Sequence, residues 1–159
     1  MTRGHMLLAL DRSAAGEAAL DFTIGLASGR GARVTVLHVR ELSPVRRMPP
    51  LESLDEARAL VEESMERIDR AGLGAGGLVH TAPADAVARC IVEASTGRWC
   101  DGIVLGSHRH RGLRRLTGGG VRDRVMRNSA LPVFVAPPAL QCGRPKWAEV
   151  LSHAGGHHT

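Results

Sequence analysis

Aromatic side chains are nearly missing from this chain of 159 residues: it has two Phe, two Trp and no Tyr. A core must therefore be aliphatic, drawn from the Leu, Val, Ile and Ala within the 43% of residues that are hydrophobic. The same scarcity counts against a single-stranded nucleic-acid platform, which needs rings for bases to stack on. No apolar run approaches the roughly 18 residues of a membrane span, so no membrane partner is expected. The first residues lack a basic stretch followed by an apolar run and a small-residue cleavage site, so a signal peptide is not expected either. Cys90, Cys100 and Cys142 are widely spaced, with no C-x-x-C. That excludes a simple disulfide scaffold or zinc knuckle and suits a reducing cytoplasm. There is no G-x-x-x-x-G-K-[ST] and no G-x-S-x-G, which excludes P-loop chemistry and a nucleophile elbow. No base, nucleophile and orienting partner can be assembled from spacing, so a conventional enzyme is not expected.

What is present is a basic chain, with net charge +5 and pI about 10.3. Such a surface suits phosphate-bearing partners, and it also serves solubility alone. The apolar residues fall in alternating strand and helix patterns. Met6 to Leu10 reads as a first strand that ends at Asp11. Ser13 can cap a helix carrying Ala15, Ala18, Ala19, Phe22 and Leu26 at helical spacing, ended by Gly29 and Gly31. Val34 to Val39 is a second strand, rich in β-branched residues. After a proline-rich loop, Leu51 to Ala71 reads as a long helix with Leu54, Val61, Met65 and Ile68 on its apolar stripe. Glu63 to Arg67 and Glu66 to Arg70 are i,i+4 pairs in the favourable order.

Leu78 to Ala82 is a weak third strand, and Pro83 suits the first turn of a helix that buries Val87, Cys90, Ile91 and Ala94. Gly102 to Gly106 is a continuous apolar strand, as expected at the centre of a parallel sheet. A helix from about Gly119 to Asn128 and a last strand, Leu131 to Ala136, complete the pattern. Residues 138–159 read as a polar tail outside a single domain spanning 1–137. The alternation implies one doubly wound α/β domain with a parallel sheet and right-handed crossovers. Ligands in such sheets lie at the carboxyl ends of the strands, here Asp11, Val39, Arg40 and the stretch from Gly106 to Val121.

Gly72 to Gly77 matches G-x-G-x-x-G by letter, but it follows a helix and precedes a strand. The dinucleotide fingerprint requires the opposite order, so the run reads as a helix-to-strand connection. The stretch Gly106-Ser107-His108-Arg109-His110-Arg111-Gly112-Leu113-Arg114-Arg115-Leu116-Thr117-Gly118-Gly119-Gly120-Val121 carries more. It leaves a buried strand through one glycine and enters a helix through three. Bare N–H groups at a helix start attract phosphate, and the arginines add charge. A solvated basic loop is the other reading of the same residues. His108 and His110 are too few, and too close to arginines, for a metal site. Cys90 on an apolar helix face reads as inert core.

The glycine spacing, taken with other landmarks, resembles the universal stress protein family. That family's nucleotide loop reads G-x-x-G, nine residues, then G-[ST]. Gly106 and Gly119 fall at its first and third glycines. Leu8 to Ser13, Val36 to Val39, Pro83 to Val87 and Leu131 to Val135 match in order, covering residues ~6 to 137. The resemblance implies a five-stranded sheet of order 3-2-1-4-5, similar to the adenine nucleotide alpha hydrolase fold. It implies, in one branch, ATP bound between strands 1 and 4. Asp11 would meet the nucleotide, backbone near Val39 the adenine, and Gly106, His108, Arg109, Gly119, Gly120 and Val121 the phosphates. It implies a cytoplasmic homodimer joined through the last strand at Val133, Phe134 and Val135. Two positions depart from the pattern: Arg109 replaces the second glycine, and Gly120 replaces the Ser/Thr. The rival reading is a dimeric stress-protein scaffold that binds no nucleotide and acts by protein contact.

Arg109 separates these readings. If the backbone tolerates arginine there, its guanidinium can bind phosphate by charge-assisted hydrogen bonds. If not, the phosphate cradle is lost. The expected outcome is ATP affinity that falls with salt and falls further in Arg109→Ala, measured by calorimetric titration. An Arg109→Gly variant that gains binding absent from the parent would show that arginine blocks the site.

Overall fold

The computed structural model describes residues 4–42, 52–107 and 119–138. Its strands are β1 (His5–Ala9), β2 (Arg33–Leu42), β3 (Ala75–Pro83), β4 (Gly102–Leu105) and β5 (Val133–Val135). Its helices are α1 (Ala14–Ser28), α2 (Leu54–Arg70), α3 (Val87–Gly97) and α4 (Val121–Asn128). All four strand pairings are parallel, and the order is β3-β2-β1-β4-β5, as expected.

Side chains alternate across each strand, so β1 feeds two cores. Met6 and Leu8 join Val34, Val36 and Val104 under α1 and α2, through Ala19, Leu20, Val61 and Ile68. Leu7 joins Leu37, Ile103 and Leu105 under α3 and α4, through Val87, Ile91 and Val125. Leu7 and Leu8 are fully buried, each stabilising the fold by about 1.5–3 kcal/mol. Both clusters are overwhelmingly aliphatic, with Phe22 and Phe134 only partly buried against the first.

Ser13 caps α1, its side chain accepting from the Gly16 N–H. The left-handed residue after that helix is Gly31, at φ +60°, whereas Gly29 remains right-handed. Ser53 and Glu56 form a capping box at the start of α2. Leu54, expected on the apolar stripe of α2, is 39% exposed, because it is the first helical residue and lies off the sheet. Arg67 does not serve Glu63; it donates to Glu17 and Asp21, at 2.6 Å each, tying α2 to α1. Arg70 and Glu66 do pair, at 3.5 Å.

Several boundaries differ from the sequence expectation for physical reasons. β2 continues to Leu42 because β3 pairs with it along its whole length, from Val34↔Ala75 to Leu42↔Pro83. Pro83 therefore ends a strand instead of opening a helix, and a turn closed by Ala86 N–H on Pro83 C=O (2.9 Å) precedes α3. Cys90 is half-buried, and Cys100 is the buried cysteine. Trp99, between α3 and β4, adopts φ +53° and is 88% exposed.

Gly76 and Gly77 are strand residues, not a connection. A Cβ on Gly77 would lie 2.5 Å from both Met65 Sδ and Val61 Cγ1. The bare backbone lets α2 lie directly on β3. Gly77→Val should therefore destabilise the domain by about 1–3 kcal/mol through overpacking. Thermal unfolding by circular dichroism checks this; an unchanged midpoint would show that α2 stands off the strand.

Candidate functional site

In a sheet wound on both faces, a crevice opens at the carboxyl edge where neighbouring strands send their connections to opposite sides. Here α1 follows β1 on one face and α4 follows β4 on the other, so the crevice lies between β1 and β4. The registers Ala9↔Leu37 and Ala9↔Leu105 fix what meets there. Continued one step, they bring Leu10 beside Gly106; continued two, they bring Asp11 beside Val39. The Leu10 N–H donates to Leu37 C=O at 2.9 Å, so the pairing does persist past Ala9.

Asp11 is exposed at the end of β1. Its Oδ1 accepts from the Ser13 N–H at 3.0 Å and from the Ser13 hydroxyl. Ser13, not Asp11, caps α1, and Asp11 orients that cap. Gly16 is buried against this turn: a Cβ on it would lie 2.2 Å from the Asp11 carbonyl oxygen. A Cβ on Gly106 would lie 2.7 Å from the Ala15 carbonyl oxygen. Two missing side chains thus let the first turn of α1 touch the ends of both β1 and β4.

The start of α4 belongs to the same edge. Val121 and Val39 both pack on the cluster that holds Leu37 and Leu105. Gly119 has φ +86°, and Gly120 is the extended N-cap, with no side-chain cap hydrogen bond. Among the described residues, the first N–H groups of α4 thus have no N-cap side chain to accept from them, the arrangement that suits an anion. Arg124 steadies this turn by donating to Gly119 C=O at 3.4 Å and to Asp85 C=O at 3.2 Å. Asp123 stands close by, its Oδ2 3.3 Å from where a Gly119 Cβ would be, and pairs with Arg122 at 3.2 Å. Gly119, Asp123, Met126 and Arg127 line a shallow depression on α4. Asp11, Val39, Gly106, Gly119, Gly120 and Val121 thus all lie at the carboxyl edge. His108 and Arg109 lie outside the described residues.

Behind Asp11 sits a polar network that sequence reasoning missed. His38 is 6% exposed. Its Nδ1 lies 2.8 Å from Leu10 C=O and its Nε2 2.7 Å from Glu52 Oε2. Glu52 Oε1 accepts from Arg12 Nε at 2.6 Å, and Arg12 also donates to Glu56 C=O. Burial works against the Glu52 carboxylate, but the hydrogen bonds from His38 and Arg12 outweigh it and hold its carboxyl below the usual glutamate value. The available signal was a lone ionisable residue inside the mostly apolar run Val34–Val39.

Other chemistry is sparse. Burial pushes the Cys100 thiol up to about 11, so it stays protonated and is no nucleophile at neutral pH. Among the described residues no three His, Cys, Asp or Glu side chains converge as a metal site would require. No helix among them is long and apolar enough to cross a membrane.

Residues 2–137 match the universal stress protein family. The chain belongs to that family. It is 29% identical over 117 residues to a universal stress protein of Methanocaldococcus jannaschii, covering 70% of this chain and 69% of the relative. A universal stress family protein from Burkholderia pseudomallei superimposes with TM-score 0.68 at 25% identity, covering 86% of this chain and 97% of the other. The universal stress protein from Archaeoglobus fulgidus, solved in complex with dAMP, gives TM-score 0.63 at 22% identity, covering 86% and 100%. The sheet order and doubly wound fold are those of this family.

Proposed function

We propose that this universal stress protein binds an adenine nucleotide, ATP as the first candidate, at the carboxyl edge between β1 and β4, and acts as a regulatory binding protein in the cytoplasm and not as an enzyme. The observation that carries this reading is the uncapped glycine start of α4, held at the same edge as Asp11, Val39 and Gly106. Backbone N–H groups there offer donors and a positive dipole end to phosphate. The basic residues on both sides of Gly112 add charge, and His108 and Arg109 belong to that stretch. Val39 and Val121 offer an apolar wall for a base. The Archaeoglobus fulgidus relative in complex with dAMP is consistent with this choice of ligand. An adenine nucleotide would bring its own charge and rings; this chain's residues would orient and hold it.

One observation favours the rival scaffold reading. Asp123 places a carboxylate beside Gly119, and a negative charge repels phosphate. The test is direct: purified chain is denatured, and the supernatant is analysed for nucleotide. Released adenine nucleotide supports the proposal; none released, and no heat on titration with ATP, supports the scaffold.

Gly119→Val should abolish or strongly weaken ATP binding while leaving the domain folded. A β-branched residue at φ +86° is strained by roughly 1–2 kcal/mol, and it would crowd Asp123. Calorimetric titration beside circular dichroism reads both effects; full affinity in the variant would remove Gly119 from the site.

The assembly proposed is a two-fold dimer through β5. This strand ends the sheet, and Val133, Phe134 and Val135 are all only partly buried within one chain. An apolar sheet edge invites pairing. Val135→Lys should shift the protein to monomer in light scattering, and a parent monomeric at every concentration would remove the dimer.

A further inference from the structure

Three helices end at the amino edge of the sheet in the same turn. After α1, the Gly31 N–H donates to Ser28 C=O and the Ala32 N–H to Ala27 C=O. After α2, the Gly72 N–H donates to Asp69 C=O and the Leu73 N–H to Ile68 C=O. After α3, the Trp99 N–H donates to Thr96 C=O and the Cys100 N–H to Ser95 C=O. Each turn is a Schellman motif, which needs one residue in the left-handed region. Gly31 and Gly72 supply it at φ +60° and +78°, whereas the third turn uses Trp99 at φ +53°. Glycine takes that conformation without strain, and a bulky side chain does not. The indole gains little packing in return, since Trp99 is 88% exposed. For folding alone, glycine would serve better at this position.

The surroundings of Trp99 are basic. β2 and β4 flank β1, so Arg33, the first residue of β2, and the turn before β4 stand on either side of His5. The Arg33 N–H donates to Gly4 C=O at 2.8 Å, and the Asp101 N–H to His5 C=O at 2.7 Å. Burial and the nearby Arg33 charge hold the His5 imidazole below the usual histidine value, and Arg98 and Asp101 act on the same ring. Arg30, Arg33 and Arg98 are exposed. None of the three forms an ion pair with another described residue. The nearby carboxylates are engaged by backbone: Asp101 Oδ2 accepts from the His5 N–H at 2.7 Å, and Asp69 Oδ1 from the Ala75 N–H at 3.2 Å. Among the described residues, Trp99 is the most exposed of the large apolar side chains.

We propose that this amino edge is a docking surface for an acidic protein segment, with Trp99 taking an apolar side chain of the segment and Arg33 and Arg98 its carboxylates. Tryptophan and arginine are the residues on which protein contacts concentrate their energy. A guanidinium fork pairs with a carboxylate through two parallel hydrogen bonds. Membrane anchoring draws instead on a broad apolar face, whereas here one indole stands among arginines and glycines. The edge lies at the far end of the sheet from Asp11, so a segment docked here leaves the carboxyl edge open. The proposal is independent of the nucleotide reading.

The experiment uses the full chain and, as probe, a short synthetic peptide of glutamates interspersed with leucines. The peptide is titrated into ¹⁵N-labelled protein and followed by NMR. The amides of Arg33, Arg98, Trp99 and Asp101 should shift together, and the affinity should fall with salt. Trp99→Gly should weaken binding about tenfold. The same variant should raise the thermal midpoint by roughly 2–4 °C in circular dichroism, because the strained turn is relieved. Arg33→Gln should weaken binding without that rise. Glutamine in place of glutamate in the peptide should remove most of the binding. No shift at this edge, or equal affinity in Trp99→Gly, overturns the proposal. A midpoint that stays level or falls in Trp99→Gly also overturns it, since the indole then serves the fold. Two further results give the edge to another occupant and overturn the acidic segment. One is co-sedimentation of the parent, and not of Trp99→Gly, with phosphatidylglycerol vesicles in place of peptide binding. The other is a change of oligomeric state by light scattering in Trp99→Gly, which marks a second copy of the chain.

Discussion

β1 is hydrogen-bonded along both edges and buried on both faces, and the carboxyl edge inherits its position from that confinement. Five residues pair with β2 and four with β4. Leu7 faces one helical layer and Leu8 the other, each with no exposed surface. A strand so enclosed cannot slip by one residue without turning both leucines to the wrong layer. Leu10 carries the constraint outward. Its N–H is bonded to Leu37 C=O, and its carbonyl accepts from His38. Asp11 is thus the first residue free of the sheet, and it emerges at a fixed place between β2 and β4.

The edge it enters is made largely of backbone. Gly16 and Gly106 contribute the absence of side chains, Gly119 a left-handed turn, and Gly120 an N-cap without a side chain. Such a surface can admit an anionic group closely, whereas side-chain cations set attraction at longer range. The two carboxylates in this zone do different work. Asp11 is engaged with Ser13 and braces the α1 cap, while Asp123 leans toward Gly119 and is offset by Arg122. Local electrostatics are therefore mixed, and the chain's net charge of +5 says little about this edge on its own.

Strand and helix alternation was readable because the hydrophobic periods are strong in Met6–Leu10, Val34–Val39 and Ile103–Leu105. Sheet order was not contained in those periods; it came from the family resemblance, and the registers bear it out. β3 was hardest to read. Its edge position and its glycines weaken the alternation, and its length is imposed by pairing with β2. Arg67 shows the limit of local rules: an i,i+4 partner was available in Glu63, but α1 offers two carboxylates, and tertiary geometry prevails. The glycine landmarks of the edge were legible as letters, and Gly106, Gly119 and Gly120 do lie at strand and helix ends. The His38–Glu52–Arg12 network was not legible, since its members are separated in sequence and come from the β1–α1 turn, the middle of β2 and the residue before the α2 cap.

Trp99 has an optical consequence. It stands 88% exposed at φ +53° on the turn before β4, at the opposite end of the sheet from Asp11. Its indole sees water in the native chain much as it would in the unfolded one. With no tyrosine in the sequence, the interior around Leu7, Leu8 and Val104 contains no tyrosine or tryptophan among the described residues. The emission of Trp99 therefore carries little record of whether that interior is packed, whereas loss of the sheet remains plain in the absorption of the peptide bonds.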